Sequence, residues 1–230
     1  LRIGMTAADI PRTLGQPDQG FEGNRFTGLT LYDALTMWDL SSAEKASVMI
    51  PGLATEWAVD DADKKKWTFK LRPGVKFHDG SPFNADAVVF SFERIFQKDN
   101  QYNKDGTFWY ASLVPFYQKS EKVDDTTVKV TFSQPDALIL QRFAIDVSYI
   151  ASPDAVKKYG NRDYSTDPSK YLGTGPYKPV ELKPKQSVRL VRNDKWWGSP
   201  KPAFETLVFQ LYPNNDQGND ARLNALLAKE

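Results

Sequence analysis

The chain has 230 residues, a formal net charge of +1 at pH 7 and 40% hydrophobic residues, including 14 Phe, 10 Tyr and 6 Trp. This composition can fill a core and excludes a disordered chain, and the balanced charge excludes the basic stripe of a nucleic-acid-binding protein. There is no cysteine, which suits an oxidising compartment without establishing one, and there is no apolar run of 18 residues that would span a membrane.

The chain opens on a predicted strand at residues 1–5, and its clearest pattern begins at residue 67. Residues 67–71 alternate between apolar and polar side chains, which is the period of a half-buried strand. Pro73-Gly74 predicts a turn, residues 75–77 resume the alternation as a second strand, and Asp79-Gly80 predicts another turn.

A capped helix is predicted next. Asn84 is a helix-capping residue, and apolar side chains then recur at three- to four-residue spacing up to Phe96. Ser152 followed by Pro153 predicts the start of another helix, since it combines a capping hydroxyl with a proline at the first helical position. The remaining predicted elements are strands at 127–132, 188–193 and 204–212 and helices at 152–159 and 221–228.

The amino-acid sequences of these segments resemble those of one known family. The matching blocks, in chain order, are LATEW at 53–57, WTFKLRPGVKFHDG at 67–80, ADAVVFSFER at 85–94, GTGPY at 173–177 and VRLVRNDKWWG at 188–198. The chain is similar in these blocks to the extracytoplasmic solute-binding proteins of ABC transporters, whose members carry dipeptides, oligopeptides, nickel chelates and some oligosaccharides. Because the blocks keep the family's order over nearly the whole chain, the resemblance is specific.

The resemblance implies a mixed α/β fold, the first lobe of a two-lobed, type II periplasmic-binding-protein-like architecture. A core subdomain with a mixed sheet flanked by helices would comprise residues 1–30 and 172–230. A smaller inserted α+β subdomain would comprise residues 31–171. Relatives continue beyond the position of Glu230 with a G-x-[VI]-D segment and a second lobe, so the second lobe is expected to be absent from this chain.

The implied function is solute binding without catalysis and without a cofactor. The whole protein would be periplasmic or otherwise extracytoplasmic, would close two lobes around a peptide-like solute, and would deliver it to membrane permease subunits. It would be membrane-associated through that transporter. An oligosaccharide or opine-like solute is one alternative, and a non-transporting sensor of peptide or peptidoglycan fragments is another. A lobe on its own would expose leucines near its last helix and would tend to self-associate.

Candidate ligand-binding residues follow from the resemblance in four places, and a further candidate, Asp146, follows from its position in an apolar run. Peptide-binding relatives let the ligand backbone run beside the segment after the first strand, by strand addition, and residues of the next loop line the same cleft. The aromatic segment at 108–110 resembles one that supplies cleft-lining rings, and the G-T-G-P-Y loop resembles one cleft wall. The candidates are Thr6, Ala7, Ala8, Phe21, Asn24, Trp109, Tyr110, Asp146 and Thr174.

Several of these residues also have ordinary structural interpretations. Three consecutive bulky rings cannot all face one core, so at least one ring at 108–110 is expected at the surface. Asp146 lies in an apolar run, where it is either a satisfied structural acid or a cleft residue. Without the resemblance, Gly173 to Gly175 would be interpreted as a tight structural turn.

His78 is the only histidine, which excludes a metal site built from several histidines. The run His78-Asp79-x-Ser81 invites comparison with hydrolases, but the members of a catalytic triad converge from separate segments. We therefore expect His78 to be a turn residue that hydrogen-bonds its neighbours. Nucleophile-elbow and phosphate-loop motifs are also absent from the sequence.

Overall fold

The computed structural model of the protein describes residues 1–6, 28–103, 109–145, 148–160 and 167–228, with the backbone alone at residues 29, 109 and 110. Its strands form two four-stranded sheets and a two-stranded ribbon, and helices pack between and beside them. The mixed α/β architecture expected from the sequence is therefore present.

The first sheet joins the two ends of the chain. Its strands are β1 (Arg2–Met5), β8 (Tyr177–Lys183), β9 (Ser187–Arg192) and β10 (Thr206–Leu211), arranged in the order β1-β10-β9-β8. Strand β1 is parallel to β10, whereas β9 is antiparallel to both β10 and β8. Strands β1, β10 and β8 therefore point the same way, and the predicted strands at 1–5, 188–193 and 204–212 are confirmed.

The second sheet is wholly antiparallel and comes from the middle of the chain. It contains β4 (Ala54–Val59), β5 (Lys66–Leu71), β6 (Tyr117–Asp124) and β7 (Thr127–Phe132) in the order β4-β5-β7-β6. The ribbon pairs β2 (Thr36–Trp38) with β3 (Met49–Pro51).

The predicted strand at 75–77 is wrong. Only a single bridge, Lys76 to Pro82, forms there, because the turns at Gly74 and Gly80 leave too little length for a ladder.

The helices begin largely where their capping residues predict. They are α1 (Leu29–Leu31), α2 (Ala85–Phe96), α3 (Ile139–Arg142), α4 (Pro153–Tyr159) and α5 (Asp216–Leu227), with 3-10 helices at Trp109–Leu113 and Pro168–Lys170. Asn84 and Ser152 accept hydrogen bonds from the backbone N–H groups of Ala87 and Ala155, as expected. Helix α5 starts earlier than predicted, because Asn215 caps it by accepting from Gly218.

Two hydrophobic cores lie side by side. One packs the first sheet against Tyr32, Tyr149 and helix α4, and the other packs the second sheet against helices α2 and α3. Ser91 of α2 bridges them, since its hydroxyl donates to the carbonyl of Ala151 at 3.3 Å and accepts from the N–H of Ala151 at 3.2 Å. Within the described part of the chain, no helix has both the length and the apolar character needed to cross a membrane.

Candidate functional site

The loop at 173–176 passes directly over helix α1. The N–H of Gly175 donates to the carbonyl of Leu31 at 3.0 Å. A Cβ atom on Gly173 would lie 2.0 Å from the oxygen of Leu31, and one on Gly175 would lie 2.5 Å from its carbonyl carbon. Neither glycine adopts a positive φ. Glycine is therefore required here because the two backbone segments approach each other closely.

A buried carboxylate lies beneath this loop. Oδ2 of Asp33 accepts hydrogen bonds from Oγ1 of Thr174 at 2.8 Å, Nε1 of Trp197 at 2.8 Å and Nε1 of Trp196 at 3.4 Å. Burial raises the pKa of the Asp33 carboxyl, while the hydrogen bonds from Trp197, Thr174 and Trp196 and the charge of Arg72 act to lower it. The guanidinium of Arg72 lies 4.4 Å from the ring centroid of Trp197, so the carboxylate sits in a shell of donors and one nearby cation.

This geometry changes the interpretation of Thr174. Its side chain is fully buried, at 0% exposure, and its hydroxyl is bonded to Asp33. The structure therefore directs the Thr174 side chain towards Asp33, where a hydroxyl beside a buried carboxylate is held by a short, charge-assisted hydrogen bond. The predicted contact between Thr174 and a solute stays a prediction.

His78 also contacts this loop, across nearly a hundred residues of sequence. Its Nε2 lies 3.0 Å from the carbonyl oxygen of Gly175, its Nδ1 lies 3.4 Å from that of Tyr171, and its backbone N–H donates to Gly173 at 2.9 Å. Burial lowers the pKa of His78 from 6.5 to about 4, although both carbonyl contacts act to raise it. The expectation that His78 bonds its turn neighbours is therefore wrong, because its ring partners belong to a distant loop.

The hydrolase comparison also finds no support in the geometry. The hydroxyl of Ser81 donates to the carboxylate of Asp79 at 2.6 Å, while the ring nitrogens of His78 face backbone carbonyls. A general base must reach its nucleophile, and here the imidazole is directed elsewhere. Among the described residues, no group of three or more His, Cys, Asp or Glu could hold a metal ion.

Thr6 lies at the other end of the first sheet. It follows the carboxyl end of β1, whereas Thr174 precedes the amino end of the parallel strand β8. A strand of the length of β8 spans about 20 Å. The structure therefore does not bring Thr6 and Thr174 together.

The aromatic segment, by contrast, is joined to helix α3. Residues Trp109–Leu113 form a 3-10 helix, and Nη1 of Arg142 donates to the carbonyl of Leu113 at its end. Nε of Arg142 donates to Oδ2 of Asp136 at 2.7 Å. Arg142 therefore connects helix α3 and Asp136 to the end of this 3-10 helix.

Ala7, Ala8, Phe21, Asn24 and Asp146 lie outside the described residues, and only the backbone is described at Trp109 and Tyr110. Sequence reasoning missed Asp33 and Arg142. A carboxylate next to an apolar run, as at residues 31–35, was the available signal for Asp33, because an acid in such a run needs partners.

Comparison with known proteins identifies the family. Residues 48–230 match the family described as bacterial extracellular solute-binding proteins, family 5 Middle. The chain is 35% identical to the dipeptide-binding protein of Escherichia coli over 223 residues, which cover 87% of this chain and 40% of that protein. It is 34% identical over 178 residues to heme-binding protein A of Haemophilus influenzae, covering 71% of this chain and 32% of that protein.

Solved structures agree with the sequence matches. The crystal structure of a dipeptide-binding protein from Pseudoalteromonas sp. SM9913, in complex with Met-Leu, superimposes with a TM-score of 0.81 at 27% identity and covers 100% of this chain and 46% of that one. The predicted fold class, a lobe of the type II periplasmic-binding-protein kind, is thereby confirmed. The chain spans less than half the length of these relatives. From the family match over residues 48–230, the chain belongs to the bacterial extracellular solute-binding proteins of family 5.

Proposed function

We propose that the whole protein is the extracytoplasmic solute-binding component of an ABC importer and that its solute is a small peptide. The observation that carries the proposal is the full-length superposition of this chain on a dipeptide-binding protein in complex with Met-Leu. The identity with the dipeptide-binding protein of Escherichia coli over 87% of the chain supports the same solute class.

We place the peptide at the carboxyl end of β1, beside Thr6, Ala7 and Ala8. A peptide can add to the chain there as an extended segment, using backbone hydrogen bonds for affinity. Thr6 is half-buried at the end of β1, in a position to contribute to such a site. Phe21 and Asn24 belong to the same proposed wall, and Trp109, Tyr110 and Asp146 to the facing one.

The loop at 173–176 has a supporting role in this proposal. The side chain of Thr174, within this loop, is buried and bonded to Asp33, so we propose that it holds the two parts of the lobe together. The parts are a core subdomain at 1–30 and 172–230 and an inserted subdomain at 31–171. The separation of the two four-stranded sheets supports this division. Tyr32, Tyr149 and helix α4 of the inserted part nevertheless pack in the core of the first sheet, so the two parts share that core.

Partners and location follow from the proposed activity. The solute would be enclosed between this lobe and a second one, and then delivered to membrane permease subunits, so the protein would be extracytoplasmic and membrane-associated through its transporter. The exposed leucines of helix α5 support two expectations: the second lobe would cover them in the whole protein, and the isolated lobe would self-associate through them. Leu223, Leu226 and Leu227 are 54%, 73% and 72% exposed.

Calorimetric titration of the whole protein with Met-Leu tests the proposal. We expect saturable binding with a micromolar dissociation constant. A second solute class, an oligosaccharide or opine-like compound, is favoured by the aromatic segment, because flat rings stack on sugars. Binding of such a compound with no heat from any di- or tripeptide would refute the peptide assignment.

A further inference from the structure

A partly buried ion pair supports the end of the aromatic 3-10 helix. Both carboxylate oxygens of Asp136 are occupied, since Oδ1 accepts from the N–H of Leu138 at 2.9 Å and Oδ2 accepts from Nε of Arg142 at 2.7 Å. The same guanidinium donates through Nη1 to the carbonyl of Leu113. The side chains of Asp136 and Arg142 are only 6% and 25% exposed, so solvent screens this pair less than a surface pair.

The 3-10 helix needs such an external partner. Short 3-10 helices have poor hydrogen-bond geometry, and the carbonyls at the end of any helix lack partners within it. The bond from the N–H of Val114 to the carbonyl of Ala111, at 3.0 Å, closes the turn, and the buried side chain of Val114 anchors the chain immediately after the helix. An arginine that bonds a terminal carbonyl satisfies one of these acceptors and fixes the direction of the helix.

We propose that Asp136 and Arg142 are positioning residues for solute binding. Asp136 orients the guanidinium, the guanidinium holds the carbonyl of Leu113, and this holds the backbone that carries Trp109 and Tyr110. Phe143, the residue after Arg142, is fully buried and anchors the backbone of Arg142 in the core. The role in binding rests on the proposed function, whereas the mechanical link from Arg142 to the helix at 109–113 does not.

The test uses the whole protein and four variants. Arg142→Met removes the donors while keeping an unbranched side chain, Arg142→Lys keeps the charge, and Asp136→Asn weakens the orienting bond. Lys122→Met is the matched control. Lys122 bonds Asp86 and Asp125 at 2.7 Å each in the same subdomain, and neither of these partners belongs to the aromatic segment.

The first readout needs no solute. Amide hydrogen exchange of a peptide covering residues 109–116 should accelerate about tenfold in Arg142→Met and less in Arg142→Lys and Asp136→Asn, because the local opening of this segment becomes easier. Lys122→Met should leave it unchanged. Exchange that is unaltered in Arg142→Met would overturn the proposal, whatever the solute proves to be.

The second readout is the dissociation constant for Met-Leu. We expect Arg142→Met to raise it about tenfold, Arg142→Lys to restore part of the loss, and Lys122→Met to leave it within about twofold. Faster exchange with an unchanged dissociation constant would also overturn the proposal, since the pair would then stabilise the segment without affecting binding. If the wild type itself fails to bind Met-Leu, the peptide assignment fails and the exchange readout alone decides whether Arg142 holds the helix.

Discussion

Trp197 donates a hydrogen bond from Nε1 to Oδ2 of Asp33 at 2.8 Å, across 164 residues of sequence. Thr174 and Trp196 donate to the same oxygen. Asp33 therefore ties three chain segments, those after α1, before β8 and after β9, at a single buried atom.

Replacing Asp33 by alanine should destabilise the protein by about 2–4 kcal/mol. The change leaves three donors without their acceptor, and an unmet buried polar group costs about 1–3 kcal/mol. Chemical denaturation measures the free energy of unfolding. Asp61→Ala is the control, because the Asp61 carboxylate is fully exposed and pairs with exposed Lys64, and it should leave the free energy of unfolding nearly unchanged. Equal effects of the two substitutions would contradict the role given to Asp33.

Gly173→Ala should lower stability more than Gly74→Ala does. A Cβ on Gly173 would overlap the carbonyl oxygen of Leu31, whereas one on Gly74 would meet nothing within 4 Å. Gly74 has a φ of 76°, so alanine there costs only the backbone strain, about 1 kcal/mol. The melting temperatures of the two variants separate steric overlap from backbone strain. A smaller decrease in melting temperature for Gly173→Ala than for Gly74→Ala would contradict the close approach of the loop at 173–176 to helix α1.

The low pKa of His78 predicts an acid-sensitive fold. The folded pKa of about 4 lies below the ordinary 6.5, so the unfolded chain binds the proton first as the pH falls. Stability contributed by neutral His78 is therefore complete above pH 6.5 and is lost progressively down to pH 4. Because His78 is an only partly buried residue, the loss of stability between pH 7 and pH 5 should be about 1–2 kcal/mol.

Comparison with His78→Gln isolates that contribution. Asp33 is present in both proteins, so its raised pKa, which has the opposite effect on stability, cancels in the difference. Denaturation at pH 7 and pH 5 should show a larger loss for the wild type than for His78→Gln. Parallel losses in both proteins would assign the acid sensitivity to other groups.

The elements that the sequence predicted well have local causes. The strand at 66–71 follows from alternating side chains, and the starts of α2 and α4 follow from Asn84 and Ser152. The sequence predicts that helix α5 begins at residue 221, five residues after its actual start, because residues 216–220 carry no apolar periodicity. Asn215, a capping residue, was the available signal for the true start.

The site was less predictable because its bonds join distant segments. Nothing near His78 in the sequence indicates that its ring will meet the carbonyls of Tyr171 and Gly175. The family resemblance marks the loop at 173–176 and makes Thr174 a candidate ligand-binding residue, whereas only the packing against Asp33 shows that its hydroxyl is buried.

Replacing Trp109 by alanine in the whole protein should weaken solute binding by about 1–3 kcal/mol. This is the scale for losing a buried aromatic anchor at an interface. Its fluorescence should also shift when the wild type binds Met-Leu, which a titration followed by emission spectra detects. An unchanged affinity together with a much lower melting temperature would assign Trp109 to the core instead.

The central claim is that a small peptide is enclosed between this lobe and a second one, and calorimetry tests it most directly. Met-Leu would be titrated into the whole protein and, in parallel, into the 230-residue chain, with circular dichroism to verify that each is folded. Enclosed pockets bury most of a ligand's surface, so losing one side, at a cost of even about 5 kcal/mol, weakens binding more than about a thousandfold. We predict micromolar binding by the whole protein and no measurable heat from the isolated chain. Equal micromolar affinity in both, or no binding of peptide by the whole protein, would contradict the account.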